Sequence, residues 1–368
     1  MAMSSELKEL EELNSTNQGN SIQKFTARLI SKFTSKYSNN INKPFNQSFI
    51  YYLLLISPFF FWGTAMVAMK GVMPHTTPFF MATVRLLPAG ILILLAGMIA
   101  QRPRPTTWQA WLWIILFGLV DGTLFQGFLA TGLVKTNAGL GSVMIDTQPL
   151  AVALLSWWLF QEKIGLFGWL GLAMGVFGIG LIGLPESWLL QLFHLVEKGE
   201  EVGNNQFFEQ LLAGGEWLML LAALSMAVGT ILMPWVSKYA DPIMATGWHQ
   251  IIGSLPLLIT SVITEQNQWV NITAPDWWAI AYSTVFGSAL AYGVFFYFAS
   301  QGNLTSLSSL TFLTPVFALL FGNLFLGELL NHLQSFGVIL TIVSITLINQ
   351  RQVLMEKFNL HKATEQSS

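Results

Sequence analysis

Cysteine is absent from this 368-residue chain. That excludes disulfides, thiolate metal sites and thiol catalysis, and it leaves the redox compartment open. Charge is scarce too. Asp, Glu, Lys and Arg make up 10% of residues, against about 25% in an average soluble domain. The shortfall excludes an ordinary globular protein. No basic block suggests nucleic acid, and a net charge of −2 names no partner. The five histidines are scattered and form no ligand cluster, so no metal site is expected. No G-x-x-x-x-G-K-S/T loop occurs, so nucleotide-powered transport has no support and no cofactor is implied.

What the chain has instead is hydrophobic sequence, 53% of the total. A helix needs about 20 apolar residues to cross the hydrocarbon core. Runs of that kind lie at 50–69, 79–100, 109–133, 137–160, 164–183, 216–236, 243–263, 277–299, 304–326 and 332–349. They are continuous rather than short and alternating, so the expected fold class is an all-α integral membrane protein with ten transmembrane helices. The first five runs resemble the last five at a constant offset of 166 residues. Gly63-Thr64 recurs as Gly229-Thr230, Asn137 as Asn303, Pro149 as Pro315, Glu162 as Glu328 and Gly171 as Gly337. Five is odd, so the second copy enters the bilayer from the opposite side. Two inverted-topology five-helix repeats follow, an architecture many secondary transporters use.

The organisation reads as a polar cytoplasmic tail (1–47), repeat 1 (48–183), an extracytoplasmic linker (184–215), repeat 2 (216–349) and a cytoplasmic tail (350–368). The first tail is too polar for a signal peptide or membrane anchor. Its Ile22, Phe25, Leu29 and Phe33 fall near helical spacing among basic residues, so an interfacial amphipathic helix and a disordered tail both stand. The linker is acidic, with an apolar patch at Trp188–Phe193 that suits a membrane surface. With the N-terminus inside, thirteen Lys and Arg lie on the cytoplasmic side, and Lys70, Lys135 and Lys198 lie outside. The positive-inside rule therefore places both termini in the cytoplasm, and the plasma (inner) membrane is the expected location.

These residues resemble the EamA-type branch of the drug/metabolite transporter superfamily. The first span carries FFFWGTAMVAMKG (59–71) and the second VRLLPAGILIL (84–94). Each half then shows a mid-helix Pro, an aliphatic run and a closing Glu, in QPLAVALLSWWLFQEKI (148–164) and TPVFALLFGNLFLGELL (314–330). SPFFFWGTAMVAMKGVMP (57–74) and DPIMATGWHQ (241–250) are similar to cyanobacterial and plastid members. The resemblance covers 50–349. It implies ten helices, a central cavity and solute movement without nucleotide hydrolysis.

Ionisable groups inside a bilayer cost roughly 2.5–3.5 kcal/mol each on insertion scales, and they usually face a cavity or a partner. Arg85, Asp121 and Asp146 are of this kind. At ~1.5 Å per residue they lie on the order of 10, 18 and 15 Å below the outer surface. One reading is a buried Arg–Asp network whose protonation or solute contact tips the transporter between states; the other is a structural ion pair. Gly139, Ser142, Asp146 and Pro149 share one helical face, and the repeat offset maps them to Thr305, Ser308, Phe312 and Pro315. Pro149 and Pro315 are hinge candidates, since each removes a backbone donor. Trp248 and His249 fall where the repeated MAT triplet (81–83, 244–246) puts the counterpart of Arg85. His249 suits a proton relay or an interhelical hydrogen bond. Gln126, Gln148 and Gln250 suit solute binding or interhelical bonding, and Trp62, Trp248, Tyr292 and Phe296 could wall a cavity. Gly168, Gly171, Gly175 and Gly178 read as a helix-packing stripe, and Glu162 and Glu328 as helix-closing residues.

The leading functional reading is a secondary transporter that exports a small metabolite, amino-acid-like or otherwise polar or amphipathic, by alternating access. Its partners are a small-molecule solute and the lipid bilayer, with a homodimer left open and no nucleic acid. It is not read as an enzyme. An intramembrane aspartyl protease would need its two carboxylates in contact, and its GxGD signature is missing. A non-transporting scaffold or sensor is the remaining alternative.

Overall fold

A computed structural model describes residues 45–135, 144–183, 215–326 and 332–355. The polar N-terminal segment, Asn137, Gly139, Ser142, most of the 184–215 linker and Glu328 lie outside the described residues. Among those described the secondary structure is helical, with no strand. The helices are α1 (Phe45–Lys70), α2 (Pro78–Ile99), α3 (Trp108–Phe117, a π-helical stretch Gly118–Phe125, then Gln126–Lys135), α4 (Gln148–Phe160) and α5 (Gly165–Gly183). They continue as α6 (Glu216–Tyr239), α7 (Pro242–Thr264), α8 (Ala274–Tyr282, a π-helical stretch Ser283–Leu290, then Ala291–Ala299), α9 (Leu304–Ser309, a 3-10 turn Leu310–Phe312, then Leu313–Leu326) and α10 (His332–Asn349). Each of the ten apolar runs therefore contributes a described helix. Seven of them (α1, α2, α3, α5, α6, α8 and α10) are long and apolar enough to cross a membrane. The described parts of α4 and α9 include shorter apolar stretches. α7 is 23 residues long, but Thr246, His249, Gln250, Ser254, Thr260 and Ser261 dilute its apolar content.

Helix starts are secured by side chains, because an unpaired N–H is costly where water is excluded. Asp241 caps α7 by accepting from the N–H groups of Ile243 (3.0 Å) and Met244 (3.1 Å). Thr273 and Asp276 form a capping box at α8. The cap of α2 comes from another helix end: Glu265, just after α7, accepts from the N–H groups of Phe79 (2.8 Å) and Phe80 (2.9 Å) and from Thr77 Oγ1 (2.8 Å). That tie fixes α2 against α7.

Lipid tails are as apolar as leucine, so burial alone does not hold membrane helices together; close backbone approach does. Glycine supplies it at the main crossings. A Cβ on Gly90 of α2 would lie 2.7 Å from the Gly247 carbonyl of α7, and one on Gly253 of α7 would lie 2.4 Å from Gly122 Cα of α3. The glycine stripe of α5 packs on α10. A Cβ on Gly178 would meet the Gly337 carbonyl at 3.0 Å, and Ser344 Oγ donates to the Gly171 carbonyl at 2.5 Å. Gly63 of α1 sits against the Thr314 carbonyl of α9. Around these contacts Phe59, Phe117, Phe295 and Phe296 are among the largest fully buried side chains of the apolar core. Leu53, Trp158, Leu166, Ile259 and Ile263 point outward, as lipid-facing residues do.

The crossing geometry gives a direct contrast. Gly253→Leu is expected to prevent assembly, seen as loss of monodisperse protein on detergent size exclusion. Gly293→Ala meets no atom within 4 Å and is expected to leave the unfolding midpoint at or above that of the parent. Well-folded Gly253→Leu protein would refute the close-approach account.

Candidate functional site

Among the described residues, two interior polar clusters bring residues singled out from the sequence together. The first begins at Arg85 on α2, whose guanidinium is half-buried. Its Nη2 donates to Gln126 Oε1 (2.5 Å) and its Nη1 to Met69 Sδ (3.1 Å). Its Nε is buried without a partner. Gln126 passes the chain on, its Nε2 donating to Tyr292 Oη at 2.8 Å. Gln126 and Tyr292 stand 166 residues apart, at matching positions of the two halves. Gln126 directly follows the π-helical stretch of α3, and Tyr292 is the second residue after that of α8. π-Bulges are costly and occur often at functional sites. Here they recur in both halves and turn two equivalent side chains toward each other. Trp62 of α1 covers the chain: its ring lies 5.3 Å from that of Tyr292, and its Nε1 donates to the Gly287 carbonyl at 3.0 Å.

The second cluster is a buried acid–base pair. Asp121 Oδ2 on α3 lies 3.1 Å from His249 Nε2 on α7, and both side chains are almost wholly buried. His249 Nδ1 lies 2.6 Å from the Thr246 carbonyl oxygen. A carbonyl only accepts, so Nδ1 carries a hydrogen. The bond to Asp121 then needs one further proton, held either by Nε2 or by the carboxyl. The pair is thus an imidazolium–carboxylate or a neutral imidazole–carboxylic acid, and in both forms it carries no net charge. Phe117 stacks on the imidazole (4.1 Å between centroids, 21° between planes) and Phe296 meets it edge-on. The other carboxyl oxygen, Oδ1, is buried without a partner beside Gly229 of α6, where a Cβ would come within 2.6 Å of it.

The Arg–Asp network expected from the sequence therefore takes another form. Among the described residues Arg85 bonds an amide and a thioether, while Asp121 bonds a histidine. Asp146 is buried in the two-residue turn between helical residues 144–145 and α4. Pro149 occupies the first turn of α4, where a missing N–H is harmless. Pro315 follows the 3-10 turn of α9. The interruption in each half therefore lies just upstream of its proline, at 146–147 and at 310–312. Trp248 stands apart from the clusters, its ring 5.1 Å from Trp111. Gln148 donates to Thr230 Oγ1 (3.3 Å) and Gln250 to the Ser288 carbonyl (3.1 Å), each an interhelical bond.

Comparison with known proteins agrees with this architecture. Residues 49–184 and 213–350 each match the EamA-like transporter family. The chain belongs to that family. An uncharacterised transporter of Synechocystis sp. is 64% identical over 82% of this chain and 90% of its own. A chloroplastic WAT1-related protein of Arabidopsis thaliana is 51% identical over 82% of this chain and 70% of its own. A solved crystal structure with 14% identity aligns with a TM-score of 0.64 over 81% of this chain and 97% of its own, a likeness of fold alone. The EamA protein is thus a multi-pass integral membrane transporter of the drug/metabolite superfamily, of cyanobacterial and plastid type.

One residue of this EamA protein carries more than its sequence context suggested. Arg351, just past α10, is buried: its Nη2 donates to Glu162 Oε1 (2.6 Å) and Asn303 Oδ1 (3.3 Å), and its Nη1 to Ser306 Oγ (2.7 Å). It ties the end of α4 to α9 and α10. In sequence Arg351 is one more basic residue after a span, and only its spacing from Glu162 and Asn303 in three dimensions shows the bond. Removing one member of a buried pair leaves the other uncompensated, at about 3–5 kcal/mol. His249→Ala and Asp121→Ala should each lower the detergent-state stability by that order, and the double variant should cost at least ~1 kcal/mol less than their sum. Strict additivity would show that the pair is not coupled.

Proposed function

We propose that this EamA protein is a secondary transporter that exports a small polar or amphipathic metabolite by alternating access, with Arg85, Gln126, Tyr292, Trp62, Asp121, His249 and Asp146 around the central path. The observation that carries the reading is the Arg85–Gln126–Tyr292 chain. It joins the two halves at repeat-equivalent positions beside two matching π-helical stretches. Broken helices at mid-depth are the usual way for transporters to build a solute site at a repeat interface. The interruptions before Pro149 and Pro315 support the same reading, with the two prolines as hinges. Ten spans, inverted halves and cytoplasmic termini in the plasma (inner) membrane complete the proposal, on the strength of the odd repeat and the positive-inside charge bias. It needs no second copy of the chain. The protease alternative loses its motive, because the bonded partner of Asp121 is His249.

Exchange between the two faces requires bonds that break in turn. The Arg351–Glu162 pair, which joins α4 to α10, is one such bond. Proton coupling through Asp146 or Asp121 and facilitated exchange are both compatible with this reading.

Untargeted mass spectrometry of cells and medium tests the function, in deletion, overexpression and Asp146→Asn strains. One metabolite class should accumulate inside the deletion strain and outside the overexpressing strain, with the variant resembling the deletion. Movement in the reverse sense would make the protein an importer. Unchanged solutes across growth conditions would count against transport, and a fully active variant would remove Asp146 from the mechanism.

A further inference from the structure

Resting on the transport reading, we infer that Arg85 is the anchor for an anionic group on the transported solute, a carboxylate or a phosphonate-like oxyanion. A guanidinium is charged at every physiological pH, so it cannot escape burial by losing its proton. Within a membrane such a charge needs an anion or water close by. Arg85 has no carboxylate within ion-pair distance among the described residues. Its acceptors are neutral, Gln126 Oε1 and the weak acceptor Met69 Sδ. Its Nε, buried and aimed at no acceptor, is the donor that the fork geometry would otherwise engage. Asp121, the acidic group on neighbouring α3, is already neutralised within the one-proton pair with His249.

The surroundings favour a small oxyanion with an apolar body. Gln126, itself bonded to Tyr292, accepts from Nη2 and holds the guanidinium from one side, and a carboxylate pairs with such a fork through two parallel N–H bonds. Trp62, in contact with Tyr292 and Phe295, supplies an aromatic wall beside the chain. Binding to Arg85 would also compete for the Gln126 bond. Since Gln126 is the link to Tyr292 in the other half, the solute's charge reaches the contact between the repeats directly. The site is thus placed both to recognise the solute and to loosen the halves.

The test uses purified full-length protein in phosphatidylcholine nanodiscs, with phenylacetate and benzylphosphonate as probes and the neutral isostere phenylacetamide as control. Calorimetric binding and unfolding midpoints are read for the parent, Arg85→Gln, Arg85→Lys and Arg102→Gln, the last at a half-exposed pair away from the cluster. At least one anionic probe should bind and raise the midpoint, while phenylacetamide does neither. Arg85→Gln should weaken that binding at least tenfold, Arg85→Lys should weaken it less, and Arg102→Gln should leave it unchanged. Equal binding of phenylacetamide, or full anion binding in Arg85→Gln, overturns the proposal. So does an Arg85-dependent shift that appears only when phosphatidylglycerol is added, which would make the anion a lipid headgroup. Where Arg85→Gln does not fold, the charged-against-neutral comparison on the parent and Arg85→Lys decides. Proteoliposome efflux of a cell extract separates the two readings. Flux confined to neutral or cationic solutes removes the anion site and keeps the transporter, whereas Arg85-dependent anion binding without flux does the reverse.

Discussion

Close backbone contact between helices is the condition on which everything else in this protein depends. Where solvent and side chain are both hydrocarbon, an apolar face gains little by leaving lipid. Gly90 against Gly247, Gly122 against Gly253 and Gly178 against Gly337 remove that difficulty by letting main chains touch. The same closeness sets the reach of the polar side chains. His249 meets Asp121 because Gly118 and Gly122 bring α3 onto α7 at that level. Asp121 fits beside α6 because position 229 has no side chain. Glycine packing and the polar clusters are therefore one arrangement, and a change that separates the helices also dissolves the site.

Onto this backbone, alike in its two halves, the chain places unlike side chains. The π-helical stretches match, and so do the breaks before Pro149 and Pro315. The charges do not. At the repeat offset Asp121 corresponds to Gly287 and Asp146 to Phe312. Where repeat 1 has a carboxylate facing a glycine of α6, repeat 2 has a bare backbone carbonyl that accepts from the indole of Trp62. Arg85, Asp121 and Asp146 lie in repeat 1, while repeat 2 supplies His249 to Asp121 and Tyr292 to Gln126.

Much of the scaffold was legible in the sequence. Long apolar runs report helices directly, and the 166-residue recurrence of Gly, Pro and Glu exposed the duplication, which the two family matches also show. The glycine stripe of α5 read correctly as a packing face because small residues at helical spacing have few other uses. The individual bonds were less legible. Depth along a span ranks Arg85 and Asp121 together, yet it carries no information on which way each side chain turns. The π-helical stretches, which rotate everything after them, leave no composition signal. So Gln126 and Tyr292 were visible as candidates while their bond to each other was not. The pairing of Asp121 with His249 depends on the register of α3 on α7, and Gly122 and Gly253 set it only in three dimensions.

If the two repeats are inverted, as proposed, the arrangement has a consequence for energy as well as for shape. If two halves exchange roles when access alternates, backbone packing contributes nearly equally to both end states, and the balance falls to side chains that lack a counterpart. Arg351 is such a side chain. It binds Glu162, Asn303 and Ser306 at one end of the molecule, while the position one offset earlier is Pro185, which has no donor to offer Glu328. On the transport reading, a charge-assisted bond that Arg351 makes in one end state and loses in the other biases the pair toward the state that contains it. On the same reading, a solute held through Arg85 and Gln126 has the task of supplying binding energy that is larger in the opposite state. Likeness of fold would make that exchange cheap, and unlike charges would set which state is favoured at rest.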